Sequence, residues 1–325
     1  MPDAMPADLL CMGEPMLEFN QRPAEPDGRV LYLQGYGGDT SNAAIAAARQ
    51  GARAGCIAAV GQDSAGDAFL ALWQQEGVDT ATVRRSTTHP TAVYFVSHTE
   101  RGHQFLFYRT GSAAAAYTPA DVPEAAIARA RILYASGISQ AISDSAADAV
   151  FHAIAIARRH GVRVAYDTNY RPRLWPPARA AAVMHAAIRQ ADIALPSLDD
   201  ARLLTGLDAP EAILDFYLGL GPRLVALKMG AEGTFLATPE ARLRIPPHPV
   251  RPVDATGAGD TFCGSFLARL IAGDAPEDAA RYAAVAAALS TTGFGAVAPI
   301  PCADAVRAAM GDHSSRLLPE SHRQS

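Results

Sequence analysis

Cysteine is scarce and scattered. The 325-residue chain carries four, Cys11, Cys56, Cys263 and Cys302, and no C-x-x-C pair of the kind that builds zinc or redox sites. Reduced thiols in a cytoplasmic protein are the resulting expectation. A basic excess is missing as well: 28 Lys and Arg face 33 Asp and Glu, for a formal net charge of −5. Bulk charge therefore gives no footing to nucleic acid as a partner. Long apolar runs are absent. The stretch AAVAAALS at 283–290 is far too short to span a bilayer, and the opening MPDAMPADLLCMGE lacks the basic and apolar regions of a secretory leader. No membrane partner is expected.

Several nucleotide and hydrolase signatures are missing too. No G-x-x-x-x-G-K-[ST] loop occurs, which disfavours a P-loop enzyme. No G-x-G-x-x-G follows the first strand, and the nearest approach, GYGGDTSNAA at 35–44, lacks the final glycine. Neither G-x-S-x-G nor H-E-x-x-H is present.

What is there is a globule. Hydrophobic residues make up 49% and charged residues 19%, enough to bury one large core. Short β-rich runs alternate with Ala-rich helical stretches: RILYASG (131–137) reads as a buried strand, 143–161 as a helix closed by Gly161, and VRVAYDTN (162–169) as the next strand. Helix 177–190 leads to strand 191–197, and helix 210–219 to strand 223–230. This is the pattern of a parallel sheet with helices on both faces, a three-layer α/β architecture.

Two places break the rhythm. EPMLEFNQ (14–21) with RVLYLQGYGG (29–38), and TAVYFVS (91–97) with HQFLFYR (103–109), have no helix between their strands and read as antiparallel hairpins. Together they predict a small β-sheet lid assembled from about 14–38 and 89–112, over a single domain spanning 1–312. Residues 313–325 are expected to form a flexible tail.

The segment VDATGAGDTFCGSFLARLI (253–271) carries the most chemistry. Its glycines feed a helix, so the N–H groups of Gly257, Ala258 and Gly259 should converge on one spot suited to an anion. Asp260 would stand in the first helical turn beside that spot. A carboxylate next to an anion hole suits phosphoryl transfer, the donors offsetting charge on the phosphoryl group while Asp260 takes a proton from the attacking hydroxyl. The same four residues also fit an Asp that merely stabilises a helix N-terminus behind an ordinary glycine turn.

DATGAGDTF (254–262) resembles the C-terminal signature of the ribokinase-like, or phosphofructokinase B, family of carbohydrate kinases, and GGDTSNAAIAAARQG (37–51) resembles its N-terminal glycine pair and following helix. The resemblance covers roughly residues 8–300. It implies a ribokinase-like fold, ATP and Mg2+ as cofactors, and a small-molecule sugar as substrate. By the same resemblance Gly37, Gly38 and Asn42 approach sugar hydroxyls, and Tyr94 lines the sugar pocket. Lys228, Gly230 and Gly233 of a K-x-G-x-x-G loop, with Ser197 and Thr256, contact the nucleotide. Asp200 is implied as a contact to hydrated magnesium and Asp254 as a monovalent-cation ligand, with K+ the implied ion.

Within the family, TAVYFV (91–96), FYRTGSAAA (107–115) and YDTNYRPRLW (166–175) look closest to the 2-keto-3-deoxygluconate kinases, which brings in Asp167, Asn169 and Arg171 as substrate contacts. Arg109 leaves a lid strand and Arg171 follows a main-sheet strand. Two guanidinium groups converging on one cleft would suit a sugar acid's carboxylate. The chain departs from the family at Phe107, where those kinases often carry Tyr, at Ser197-x-x-Asp200, where the pattern is N-x-x-E, and at Ala284, which replaces an Asn near the adenine. Two other readings stand beside this one: a fructokinase or ribokinase acting on a neutral sugar, and a non-catalytic sugar or nucleotide sensor on the same scaffold. Exposed lid strands would further allow a homodimer.

Overall fold

The computed structural model describes residues 6–22, 27–99 and 102–316. The chain runs through β1 (Leu9–Met12), β2 (Met16–Gln21), β3 (Tyr32–Gly37), α1 (Asp39–Arg49), β4 (Ala54–Gly61), α2 (Ser64–Gln75), β5 (Val83–Ser86), β6 (Ala92–Thr99) and β7 (Gly102–Tyr108). It continues through α3 (Glu124–Ile127), β8 (Ile132–Ser136), α4 (Gly137–Ala141), α5 (Asp144–Arg159), β9 (Arg163–Asp167), α6 (Pro177–Ile188), β10 (Ile193–Ala194), α7 (Leu198–Thr205) and α8 (Pro210–Leu220). The last elements are β11 (Leu224–Lys228), β12 (Thr234–Ala237), β13 (Arg242–Ile245), α9 (Ala258–Ala272), α10 (Pro276–Ser290) and α11 (Ala303–Arg316).

Every residue of β1, β4 and β8 is buried. A strand can sustain that only where both faces of its sheet are covered. Accordingly Leu10, Met12, Ile57, Leu133, Val164 and Tyr166 pack on one side with Ile154, Met184 and Leu214 of α5, α6 and α8. The alternate residues Leu9, Cys11, Cys56, Ile132, Tyr134 and Ala165 pack on the other with Ile45, Phe69, Phe266 and Ala283 of α1, α2, α9 and α10. The two-residue period of the strands thus divides one sheet between two cores.

That sheet has nine strands in the order β13-β12-β11-β10-β9-β8-β1-β4-β5. Pairing is parallel from β11 to β5 and antiparallel only at β11–β12 and β12–β13. Local signals set the helix starts. Ser143 accepts the Ala146 N–H at 3.0 Å to open α5, and Pro stands in the first turn of α6, α8 and α10, where a missing N–H costs nothing. β10 is shorter than the expected 191–197, because Ser197 is already the N-cap of α7.

The small sheet has the order β3-β2-β6-β7, within the two expected stretches. Each hairpin is antiparallel, yet the hairpins join through a parallel β2–β6 pair, from Met16↔Ala92 to Asn20↔Val96. Both strands leave the large sheet directly after parallel strands, β1 and β5, so they emerge pointing the same way. At the other end α11 runs through Arg316, into the segment expected to fray. The rest of that expected tail, 317–325, lies outside the described residues. Among those described, no helix is long and apolar enough to cross a membrane.

Helices α1 and α9 cross where Gly264 meets Ala43, so closely that a Cβ on Gly264 would collide with the Ala43 carbonyl oxygen and press on the Ala46 methyl. Both helix starts carry polar groups described below, so this contact sets their separation. Gly264→Ala is expected to cost about 2 kcal/mol by overpacking, read as a lowered melting temperature; an unchanged melting temperature would contradict the close crossing.

Candidate active site at the start of two helices

Parallel strands of an open α/β sheet deliver their C-terminal ends to one edge, where ligands bind. Asp167 ends β9 and Lys228 ends β11. The glycine turn leading into α9 comes to the same place. Gly257 adopts φ 76°, the left-handed region a side chain would resist. Among the described residues no acceptor takes the N–H of Gly257 or Gly259, whereas Ala258 donates to the Ala255 carbonyl at 3.2 Å. No acceptor takes the Asp260 N–H either, so the open donors are Gly257, Gly259 and Asp260 itself, with Ala258 alone of the expected three engaged, and they sit at the positive end of a fifteen-residue helix.

Asp260 stands in that first turn, and its Oδ2 accepts from Asn42 Nδ2 at 2.9 Å. Asn42 lies in α1, which begins at Asp39. Loss of hydration and then the nearby Asp39 carboxylate push the Asp260 carboxyl up to about 7, against the opposing Asn42 hydrogen bond and Lys228 charge. Asp39 is buried, and its Oδ2 accepts from Asn169 Nδ2 at 2.8 Å. Asp39 Oδ1 and Asn42 Oδ1 are buried acceptors with no partner. Buried acceptors left empty are costly unless a ligand brings donors, and sugar hydroxyls are such donors. Asn169 is the one non-glycine residue at positive φ among those described, at 33°, which turns its amide towards Asp39.

Asp167 is engaged more fully than a plain sugar ligand would be. Its Oδ2 accepts from Lys228 Nζ at 2.6 Å, from Cys263 Sγ at 3.3 Å and from the Tyr134 hydroxyl at 3.4 Å, while Oδ1 accepts the Asn169 N–H at 3.2 Å.

On the small sheet, the Tyr94 hydroxyl donates to Glu18 and its ring stacks on Phe107, centroids 5.5 Å apart. Gly37 lies under that tyrosine: a Cβ there would stand 2.7 Å from the hydroxyl oxygen. Gly38 is the N-cap of α1, packed on the Glu14 backbone. Arg109 is held in an ion pair with Glu14, whose carboxylate is fully buried and also accepts from Ser112 Oγ at 3.3 Å. Burial pushes the Glu14 carboxyl up while Arg109 pulls it down. Arg171 is exposed, and its guanidinium donates to the neighbouring Tyr170 carbonyl at 3.1 Å. The two arginines share no partner here, so the expected convergence of two free guanidinium groups is not what the structure records.

The remaining expected residues form braces. Ser197 caps α7 by accepting the Asp200 N–H at 3.2 Å. Asp200 Oδ2 accepts from Thr168 Oγ1 at 3.1 Å and from the Tyr170 N–H at 3.0 Å, and its carboxyl is raised chiefly by burial. Gly230 and Gly233 close a tight turn in which the Met229 N–H donates to the Gly233 carbonyl at 2.8 Å. Asp254 Oδ1 accepts from Thr256 N at 2.9 Å and Thr256 Oγ1 at 2.6 Å, and Oδ2 accepts from Gly295 N at 2.9 Å. Among the described residues no group of three or more His, Cys, Asp or Glu could hold a metal alone. Magnesium arriving with a polyphosphate, which needs only one or two protein carboxylates, fits Asp200 better than a dedicated protein cage would.

Glu14 and Asp39 belong to the site and were not among the residues expected from sequence. Each carries a signal in hindsight: Glu14 follows the C-terminal end of β1, and Asp39 follows the glycine pair at a helix start.

Residues 7–303 match the pfkB family carbohydrate kinase. A 2-dehydro-3-deoxygluconokinase from Thermoproteus tenax is 33% identical over 287 residues, covering 86% of this chain and 87% of the relative. Among solved structures, a PfkB protein from Polaromonas sp. JS666 superposes with a TM-score of 0.84 at 30% identity, over 93% of this chain and 99% of that one. A fructokinase with bound ATP from Xylella fastidiosa superposes with a TM-score of 0.86 at 26% identity, over 94% and 98%. A glycine turn with open donors, a carboxylate poised beside it and a family match along nearly the whole chain agree, and the chain belongs to the pfkB family of carbohydrate kinases.

Proposed function

We propose that this kinase phosphorylates a keto-deoxy sugar acid, 2-keto-3-deoxygluconate, to its 6-phosphate, with Asp260 as the base. The observation that carries the reading is the Asp260 carboxylate: bonded to Asn42, crowded by Asp39 and adjacent to the open N–H groups of Gly257 and Gly259. Asp260 takes the proton of the attacking hydroxyl as its oxygen bonds to phosphorus and the bond to the departing ADP oxygen breaks. Gly257 and Gly259 donate to the charge that builds on the phosphoryl oxygens. Asp39 Oδ1 and Asn42 Oδ1 accept from substrate hydroxyls. Mg–ATP, when bound, would supply the phosphoryl group and a divalent charge to offset its oxygens. Asp200 would help hold that ion, while Ser197, Thr256 and the loop of Gly230 and Gly233 would shape the nucleotide side. Asp254, tied to Thr256 and Gly295, sits where a potassium ion would reinforce the same turn, and activation by KCl over NaCl would reveal it.

The sugar-acid choice rests on the 2-dehydro-3-deoxygluconokinase relatives, the same compound under another name, and on Arg171, exposed past the end of β9. Arg109 contributes its Nε–H, which is buried and unpartnered. A neutral-sugar kinase is favoured by one specific observation: Glu14 already neutralises Arg109. Tyr94, Gly37 and Gly38 would line either pocket, and the small sheet would close over it to exclude water. Four free thiols suit a reducing cytoplasm. Tyr32, Leu106 and Tyr108 on one face of the small sheet, and Leu33 and Phe105 on the other, leave both edge strands with exposed apolar residues, which supports a homodimer through that sheet.

ADP release measured with Mg–ATP against 2-keto-3-deoxygluconate, fructose and ribose tests the assignment. Keto-deoxygluconate should be preferred, and Arg171→Ala should raise its KM about tenfold or more; preference for fructose, unaffected by Arg171→Ala, would establish the neutral-sugar reading instead. Asp260→Asn should lower kcat about a thousandfold, and turnover like the wild type would remove the base. With both substrates limiting, kcat/KM should fall tenfold per pH unit below about pH 7, as Asp260 gains its proton; a flat profile down to pH 5 would contradict this. Light scattering should show a dimer that Leu33→Glu with Leu106→Glu splits, and a wild-type monomer would refute the lid interface.

A further inference from the structure

The K-x-G-x-x-G loop was expected to contact the nucleotide, with Lys228 as one contact among several. The structure separates Lys228 from the rest of that loop. Residues 229–233 close on themselves through the Met229–Gly233 bond, while the Lys228 side chain runs into the protein, 12% exposed. Its ammonium is fixed by Asp167 at 2.6 Å and lies 3.4 Å from Cys263 Sγ. It also stands 3.8 Å from the point a Cβ on Gly259 would occupy, the nearest atom to that point among the described residues beyond Gly259's own stretch of helix. The glycine turn therefore opens onto a positive charge as well as onto its own N–H groups.

From this geometry we propose that Lys228 is a catalytic residue, its ammonium set against the oxygens of the transferring phosphoryl group, with Asp167 as the positioning residue that holds it there. The assignment rests on the kinase reading above. An ammonium has three donors; two face Asp167 and Cys263, and the third is left for the space beside Gly259. Charge on a transferring phosphoryl spreads over three equatorial oxygens, and a cation beside the open N–H groups of Gly257, Gly259 and Asp260 adds a full charge that uncharged donors do not supply. A fixed cation in a site shielded from water is worth far more there than in solvent. Asp167 serves the reaction by position. Without it the ammonium would be drawn to Asp260, whose charge also acts on it, and would hold the base in an ion pair. Asp39, Tyr134 and Asp200 are further charged and titratable groups around this junction, Asp200 feeling both Lys228 and Asp167. The glycine at 259 follows from the same geometry, since any side chain would stand between the ammonium and the anion.

The alternative is a structural ion pair that ties β9 to β11, and Lys228→Met with Lys228→Arg distinguishes the two. Lys228→Met should lower kcat about a hundredfold or more, the scale for losing one preorganised donor to a developing charge. Binding measured by calorimetry supplies a readout apart from turnover. The affinity for the non-hydrolysable β,γ-imido analogue of ATP should fall about tenfold, while that for ADP, which lacks the γ-phosphoryl, holds within about twofold. In the ligand-free protein, removing the ammonium should drive the Asp260 titration to still higher pH. Lys228→Arg, which keeps the ion pair and the fold, should preserve ADP affinity yet lose most of kcat, because a planar guanidinium cannot reproduce the compact charge. That variant decides the matter if Lys228→Met does not fold. Equal losses for ADP and the analogue would return Lys228 to ordinary nucleotide binding, and wild-type kcat in Lys228→Arg with an unshifted Asp260 would leave only a structural pair. The base assignment fails separately, on Asp260→Asn alone, so either claim can fall without the other.

Discussion

Asp260 in the first turn of α9 loses hydration and stands within reach of the Asp39 charge in the first turn of α1, and this unfavourable setting for a carboxylate is the constraint around which the site is arranged. A carboxylate stripped of water with a second negative charge nearby ionises only above its ordinary pH. Asn169 holds one and Asn42 the other, each with a single amide hydrogen bond, which orients the groups without cancelling the repulsion. Lys228 is kept from Asp260 by its bond to Asp167. The result is a carboxyl with enough proton affinity to take a proton from a hydroxyl, beside donors for a phosphoryl group. Distance is what sustains it. The Gly264–Ala43 crossing sets how near the two helices come, and β9 and β11 fix Asp167 and Lys228 relative to both.

The small sheet adds a second buried charge problem, solved differently. Glu14 loses all its water and keeps Arg109 as partner, with Ser112 as a further donor. A buried pair of this kind gives orientation more than stability, and removing one member would leave the other stranded. Arg109 is thereby held at the base of the lid with its Nε still unpartnered, so the ion pair presents a donor and not a free cation. On the proposed sugar-acid reading, recognition would then depend more on Arg171 than a count of arginines suggests.

Features that depend on neighbours in sequence were legible. Buried runs at 131–137 and 162–169 announced parallel strands because such strands need apolar residues on both faces, and Gly257 to Asp260 announced a donor turn because glycine and a helix start are adjacent. Partnerships made through space were not. Arg109 finds Glu14 ninety-five positions away and Asn42 finds Asp260 at a separation of 218, and no local pattern encodes either. The order of the small sheet escaped for the same reason: each hairpin was visible, but the parallel β2–β6 pairing follows from how β1 and β5 lie in the larger sheet. For Lys228 the loop motif speaks for the backbone turn, while Asp167 and Cys263, distant in sequence, decide where the side chain goes.

The central claim is that this arrangement holds Asp260 as a carboxylate able to accept a proton near neutral pH. Carbon-13 NMR of the side-chain carboxyls in the ligand-free protein, with Asp260→Asn to assign the signal, measures that directly. The account predicts a midpoint of about 7 for Asp260; titration at about 4, the ordinary value for an aspartate, would contradict it.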